Sequence, residues 1–380
     1  MNAEIRALAS RSAERSGEWE FLCECGHVAC SERVLLTLRS YEALRRRGDD
    51  VLAPGHTVDE VARGNGHPMD EQLVAYLADA HSIEEQALQQ LRGAPDAAGD
   101  ADLARIFRDH LTETEGHERA MRSRLEAHGE GSSALKDLLM RVGGAGFLLF
   151  AKAQPDTPGK LVAHAYSYEH LELASYELLL RVAGRAGDTE TVEAAQRIRD
   201  EERAMAERLA ASFDRAVEAS LAKLHPDDLR GQLRTYLADA HAIEEQAAKL
   251  LEQSVDDPAL GDLYREHLAE TRGHTRLVEE RLAALGGDAS SVKDAAMRAG
   301  ALSWATFFEA HPDTPGKLAA FAYAFEHLEI AAYEELKRVA GRAGDTDTVR
   351  AADDILAQER AAAAKIEAAF DRAVDAALIG

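Results

Sequence analysis

Three kinds of residue are scarce in this chain of 380 residues, and each scarcity closes off a class of fold. Nine prolines and 6% aromatic residues, set beside abundant alanine, leave few chain breakers and favour helices over sheets. Three cysteines, all between Cys23 and Cys30, exclude a disulfide framework and agree with a reducing compartment. Long apolar runs are missing too: stretches such as 147–151 are far too short to cross a bilayer, and the first residues lack the apolar core of a secretion signal. The expected location is the cytoplasm. Basic residues are outnumbered, 44 Lys and Arg against 68 Asp and Glu, for a formal net charge of -24. Nucleic acid and anionic membranes both need a basic face, so neither is an expected partner, whereas cations are.

All the cysteines fall in residues 18–56, a stretch of mixed strand-like and short helical pattern that follows a charged, aperiodic arm. Cys23, Cys25 and Cys30, with His56 or His27, could close a tetrahedral structural zinc site, a staple that a core this small would use. Reduced cysteines packed in a small core are the alternative. A Gly-rich linker ends this part, so the expected domains are 1–68 (arm, α+β Cys/His module and linker), 69–224 and 225–380.

The last two are copies of each other. DTPGKLVAHAYSYEHLELASYE (156–177) returns as DTPGKLAAFAYAFEHLEIAAYE (313–334) with 16 of 22 positions identical. YLADAHSIEEQA (76–87) returns as YLADAHAIEEQA (236–247), and RVAGRAGDT (181–189) returns unchanged at 338–346. Each copy holds four long helical patterns, in the first at about 69–93, 101–128, 158–185 and 188–222. A long connection carrying a shorter apolar helix separates the second pattern from the third. A connection of that length can run along a bundle, which makes those two helices parallel and the fold an all-α pair of tandem four-helix bundles with one crossover each.

The apolar stripes of these helices are interrupted by polar residues. The first runs Leu73, Leu77, Ala80, Glu84, Ala87, Leu91; the second Leu103, Ile106, His110, Glu113, His117; the third Val162, Ala165, Glu169, Glu172, Tyr176; the fourth Ala195, Ile198, Glu202, Met205, Leu209. The second copy repeats them as Glu244, His267, Glu270, His274, Glu326, Glu329 and Glu359. Glu201 becomes Gln358, so comparing the copies singles out Glu202. Glu172 and Glu202 are equidistant from Gly187, and Glu244 and Glu270 from Asp257, which puts the carboxylates of each bundle near one layer. So many carboxylates need compensation, and two metal ions per bundle, iron or manganese by donor type, would supply it.

Those same segments, DAHSIEEQ, HLTETEGH, YEHLELASY and the fourth-helix glutamate, resemble the ferritin-like superfamily and within it the YciF-type stress proteins. The resemblance implies a ferritin-like bundle with a binuclear site, with Glu84, Glu113, Glu172 and Glu202 as the helix carboxylates. It departs from the usual E-x-x-H ligand motif: the second helix has H-x-x-E-x-x-x-H and the fourth has no histidine. Oxidation of ferrous iron or consumption of peroxide under stress is the expected activity, with self-association into a homo-oligomer left open. A non-enzymatic stress or scaffold protein, acting through its Cys/His module and acidic surface, is the alternative.

Overall fold

The computed structural model describes residues 17–23, 33–47, 51–54, 68–129, 157–287 and 315–379. Twelve α-helices and one two-stranded sheet lie among them. The first 71 residues form one compact unit and residues 72–380 another.

In the first unit, β1 (Glu18–Leu22) pairs antiparallel with β2 (Arg33–Thr37), Trp19 opposite Leu36 and Phe21 opposite Val34. Helix α1 (Leu38–Arg47) follows directly. Alternation sends Trp19, Phe21, Val34 and Leu36 into a small core with Tyr41, Leu44 and Val51, where the Phe21 and Tyr41 rings stack at 4.2 Å. Cys23 Sγ accepts a hydrogen bond from the Ala53 amide at 3.2 Å. The other zinc candidates, Cys25, Cys30, His27 and His56, lie outside the described residues.

The first repeat consists of α2 (Pro68–Leu91), the short α3 (Ala94–Ala97), α4 (Ala101–Ala127), α5 (Thr157–Ala186), α6 (Thr189–Ala210) and α7 (Phe213–Leu221). Their counterparts are α8 (Leu229–Ser254), α9 (Gly261–Ala284), α10 (Pro315–Ala343), α11 (Thr346–Ala368) and α12 (Phe370–Ile379). Helix α5 ends where RVAGRAGDT calls for an end. Gly187 takes a φ of +74°, which a side chain would resist, and the amides of Gly187 and Asp188 turn back to the carbonyls of Gly184 and Ala183. Asp188 then caps α6 by accepting the Thr191 amide at 3.0 Å, and Arg124 of α4 reaches the same carboxylate at 3.0 Å. Gly344, Asp345, Thr348 and Arg281 repeat the arrangement. Because Asp188 both caps a helix and ties α4 to α6, Asp188→Ala should cost about 1–2 kcal/mol, read as a lower urea midpoint; an unchanged midpoint would mean that Arg124 and Thr191 find other partners.

These ties also fix direction. Arg124 meets Asp188, and Arg208 meets Glu113, so α4 is antiparallel to α6. Helix α5 is antiparallel to α6 across the Gly187 turn. Helices α4 and α5 therefore run the same way, as the one-crossover topology requires. The expected fourth helix, 188–222, is in fact two, broken at 211–212. The break recurs at Ala369, where no serine, glycine or proline stands, so local propensity does not cause it. What both breaks share is a buried phenylalanine packed on a tyrosine, Phe213 on Tyr166 at 5.4 Å and Phe370 on Tyr323 at 5.6 Å. Packing decides the bend where the pattern alone reads as continuous.

The bundles meet along α5 and α10, with residues 157 apart in sequence meeting each other. Ser167 donates to the Ala324 carbonyl at 2.8 Å, and the His170 and His327 rings stack at 3.5 Å. Arg181 pairs with Asp371 and Arg338 with Asp214, so α12 lies on α5 and α7 on α10. No helix among the described residues is long and apolar enough to cross a membrane.

Candidate metal centre

Helical periodicity carries Glu84 (α2), His110 and His117 (α4), Glu169 and Glu172 (α5) and Glu202 (α6) into the middle of the first bundle, where none is more than 3% exposed. They form two groups. In one, His110, Glu169, Glu172 and Glu202 offer donor atoms that all lie within 4.8 Å of one another; in the other, Glu84, His117 and Glu202 do the same. Glu202 belongs to both. His110 Nε2 stands 3.2 Å from Glu169 and 3.5 Å from Glu202, and His117 Nδ1 stands 2.7 Å from Glu202 and 3.8 Å from Glu84. The second bundle repeats both groups with His267, Glu326, Glu329 and Glu359, and with Glu244, His274 and Glu359.

Close approach here is not mutual satisfaction. Both oxygens of Glu172 and of Glu202, one each of Glu84 and Glu169, and Nδ1 of His117 are buried without a hydrogen bond of acceptable geometry, and the second bundle shows the same pattern. An unpartnered carboxylate in such a place costs several kcal/mol. Two donors each about 2.1 Å from one ion, at right angles, lie about 3 Å apart. The nitrogen–oxygen distances within these groups fall around that value. The residues fit metal ions.

Glu113 and Glu270, expected among the ligands, are not brought into either group. Their side chains are 34% and 30% exposed, and each lies 3.1 Å from Nδ1 of the preceding histidine, His110 or His267. Arg208 closes on Glu113 at 2.6 Å. The spacing H-x-x-E does place both side chains on one side of α4, but it is the histidine that faces in. Glu113 holds that ring so that Nε2 points at Glu169 and Glu202.

Two further contacts go beyond what the helical pattern shows. His117 Nε2 lies 2.6 Å from Glu201, so His110 and His117 each have one nitrogen in a group and the other against a carboxylate. This is the usual support for a metal-bound histidine, which fixes the tautomer and the ring orientation. Tyr176 donates to Glu84 and Tyr333 to Glu244, steering one oxygen of each glutamate and leaving the other to the group. Position beside Glu202 was the only signal for Glu201; Tyr176 reads as an ordinary core aromatic. His81 and His170, beside the stripes, make interhelical contacts. His81 pairs with Glu118, which Arg122 also covers, and the second repeat has Thr275 at the position of Glu118.

The electrostatics reflect the crowding. Burial first, then the charge of Glu202, push Glu84 up to about 8. Burial, then Glu202, Glu84 and Glu169, carry Glu172 well above the carboxylate range, and Glu329 follows for the same reasons. Glu359 is raised by burial to about 7. Burial alone would lower the histidines, yet Glu202, Glu84 and Glu201 raise His117 to about 9, and His267 and His274 reach about 10 among their own glutamates. Glu113 goes the other way, held at about 2 by His110 and Arg208. Without a metal, the layer is compensated by protons.

The family model described as a domain of unknown function, DUF892, matches residues 68–222 and again 228–379. The chain belongs to that family, twice over. The family is related to the ferritin-like proteins, which agrees with the architecture described above. No solved structure matches the chain.

Proposed function

We propose that each bundle holds a carboxylate-bridged pair of metal ions, iron in preference to manganese, and that the protein uses them to oxidise ferrous iron or consume peroxide under stress. The observation that carries this reading is the sharing of Glu202, and of Glu359 in the second bundle, by two adjoining buried groups, with neither oxygen of the shared glutamate in a hydrogen bond. Charge supports it: Glu84, Glu169, Glu172 and Glu202 bring four negative charges to two neutral imidazoles, which two divalent cations would cancel. Oxygen and nitrogen donors without sulfur suit iron or manganese. Two ferrous ions give up two electrons, which with two protons reduce one peroxide to two waters.

The chain's own part is positioning. Glu113 and Glu201 orient His110 and His117, Tyr176 orients Glu84, and Leu73, Leu77, Ile198 and Met205, all at 0% exposure, keep bulk water from the layer. The scaffold reading, with a self-contained polar layer, is disfavoured by Glu172, neither of whose buried oxygens has a hydrogen bond. Elemental analysis of protein purified without added metal should find iron or manganese, approaching two ions per bundle, and that protein should accelerate ferrous oxidation by O2 or peroxide. Protein free of both metals that binds neither on addition would overturn the proposal.

A further inference from the structure

The two repeats were duplicated with their ligands intact, yet one support differs. In the first bundle His117 Nε2 lies against a carboxylate, Glu201, at 2.6 Å. In the second, His274 Nε2 lies against an amide, Gln358, at 3.3 Å. Everything nearer the group is the same: His117 and His274 each present Nδ1, to Glu84 and Glu202 or to Glu244 and Glu359. The other histidine keeps a carboxylate in both bundles, Glu113 behind His110 and Glu270 behind His267. Of the residues in direct contact with the two histidines' outer nitrogens, only this one changes type; behind them, Arg208 pairs with Glu113 whereas its counterpart Lys365 pairs with Glu266.

Resting on the dimetal reading above, we propose that the two centres are not equivalent: the ion site of Glu84, His117 and Glu202 binds its metal more tightly than that of Glu244, His274 and Glu359, and Glu201 is the positioning residue responsible. A carboxylate accepting the ring N–H leaves more electron density on the opposite nitrogen, making Nδ1 of His117 the stronger donor; a neutral amide at a longer distance does this less. Removing such a support typically costs about 10–100-fold in metal affinity, and since the amide weakens it without removing it, the two sites should differ by up to that factor. On filling, the first bundle's centre completes first. The second bundle's is left to exchange its ion more readily, so one chain carries a holding centre beside a labile one.

Cobaltous ion is a suitable probe, since binding is followed by its visible absorption and by calorimetry without redox chemistry. Titrated into the metal-free full chain, it should show at least two affinity classes. E201Q should move the tight class toward the weak one by up to about 100-fold, and Q358E should move the weak class toward the tight one. Retained melting behaviour of each metal-free variant shows that the bundle is intact, and the reciprocal variant guards against a purely destructive effect. Cobalt binding with wild-type classes in both variants would overturn the inequality while leaving the dimetal reading standing. No saturable cobalt binding in the wild type would overturn both.

Discussion

Glu202→Gln and Glu359→Gln in one chain should abolish stoichiometric metal binding while leaving the metal-free protein folded. Each of these glutamates is fully buried and shared by two groups, so its charge is required twice. An amide of the same size has one oxygen and no charge, and cannot bridge two cations as a carboxylate does. Losing a supporting residue costs 10–100-fold in affinity, and losing a shared ligand should exceed the upper end of that range. The isosteric change leaves no cavity. It removes a charge that helps push Glu84 and Glu172 upward, and with it the attraction that raises His117, so the two effects on the metal-free layer oppose each other. E202Q alone should halve the metal content, because the second bundle keeps a complete set. Ferrous oxidation above background should vanish in the double variant. If that variant takes up as much iron as the wild type with equal affinity, neither Glu202 nor Glu359 is a ligand.

Much of this site could be read from the sequence because it interrupts a regular pattern. A glutamate at a position where the helix period demands an apolar residue stands out, and finding it again in the second repeat removes chance. Glu84, Glu169, Glu172, Glu202, His110 and His117 are found this way, and the structure buries all six. Glu113 shows the limit. It stands three residues from His110, so the pattern cannot say which of the two faces inward; Arg208, which draws Glu113 outward, is distant in sequence. Level counting had a similar limit. Placing Glu244 opposite Glu270 takes Asp257 as the centre of a symmetric turn, but Asp257 instead accepts the Ala259 and Leu260 amides in the turn that leads into α9. The pairing lies a turn of helix away, where His274 meets Glu244. The bend at 211–212 and the role of Tyr176 depend on partners that no local pattern contains.

Chelation should lower the melting temperature strongly, and more at about pH 8 than at about pH 6. The folded, metal-free layer takes up protons that the unfolded chain does not. Glu84 titrates at about 8 in the bundle against an ordinary 4.5, and Glu359 at about 7, so their contribution is complete below 4.5 and disappears as pH climbs through 7 and 8. His117 at about 9 and His274 at about 10, against an ordinary 6.5, act with the same sign, favouring the fold below 6.5 and ceasing to do so towards 9 and 10. Acidification from about pH 8 therefore strengthens the metal-free protein. Three other histidines oppose this at lower pH. Burial holds His164 neutral down to about 3 and His327 to about 4, and His170 is lowered by burial and by His327, while in the unfolded chain they gain protons below 6.5. Stability they contribute is lost as pH falls from 6.5 towards 4, so the metal-free melting temperature should peak between about pH 5 and 7. Metal replaces the protons and keeps the carboxylates ionised, so the loaded protein should lack the decline towards about pH 8. An ion at one hundred times its dissociation constant adds about 2.7 kcal/mol, and two per bundle should raise the melting temperature by about 10–20 °C. Melts at about pH 6 and about pH 8, with and without chelator, test both the size and the sign. A melting temperature indifferent to chelation, in protein shown by elemental analysis to carry metal beforehand, would mean that the ions sit somewhere other than in this buried layer.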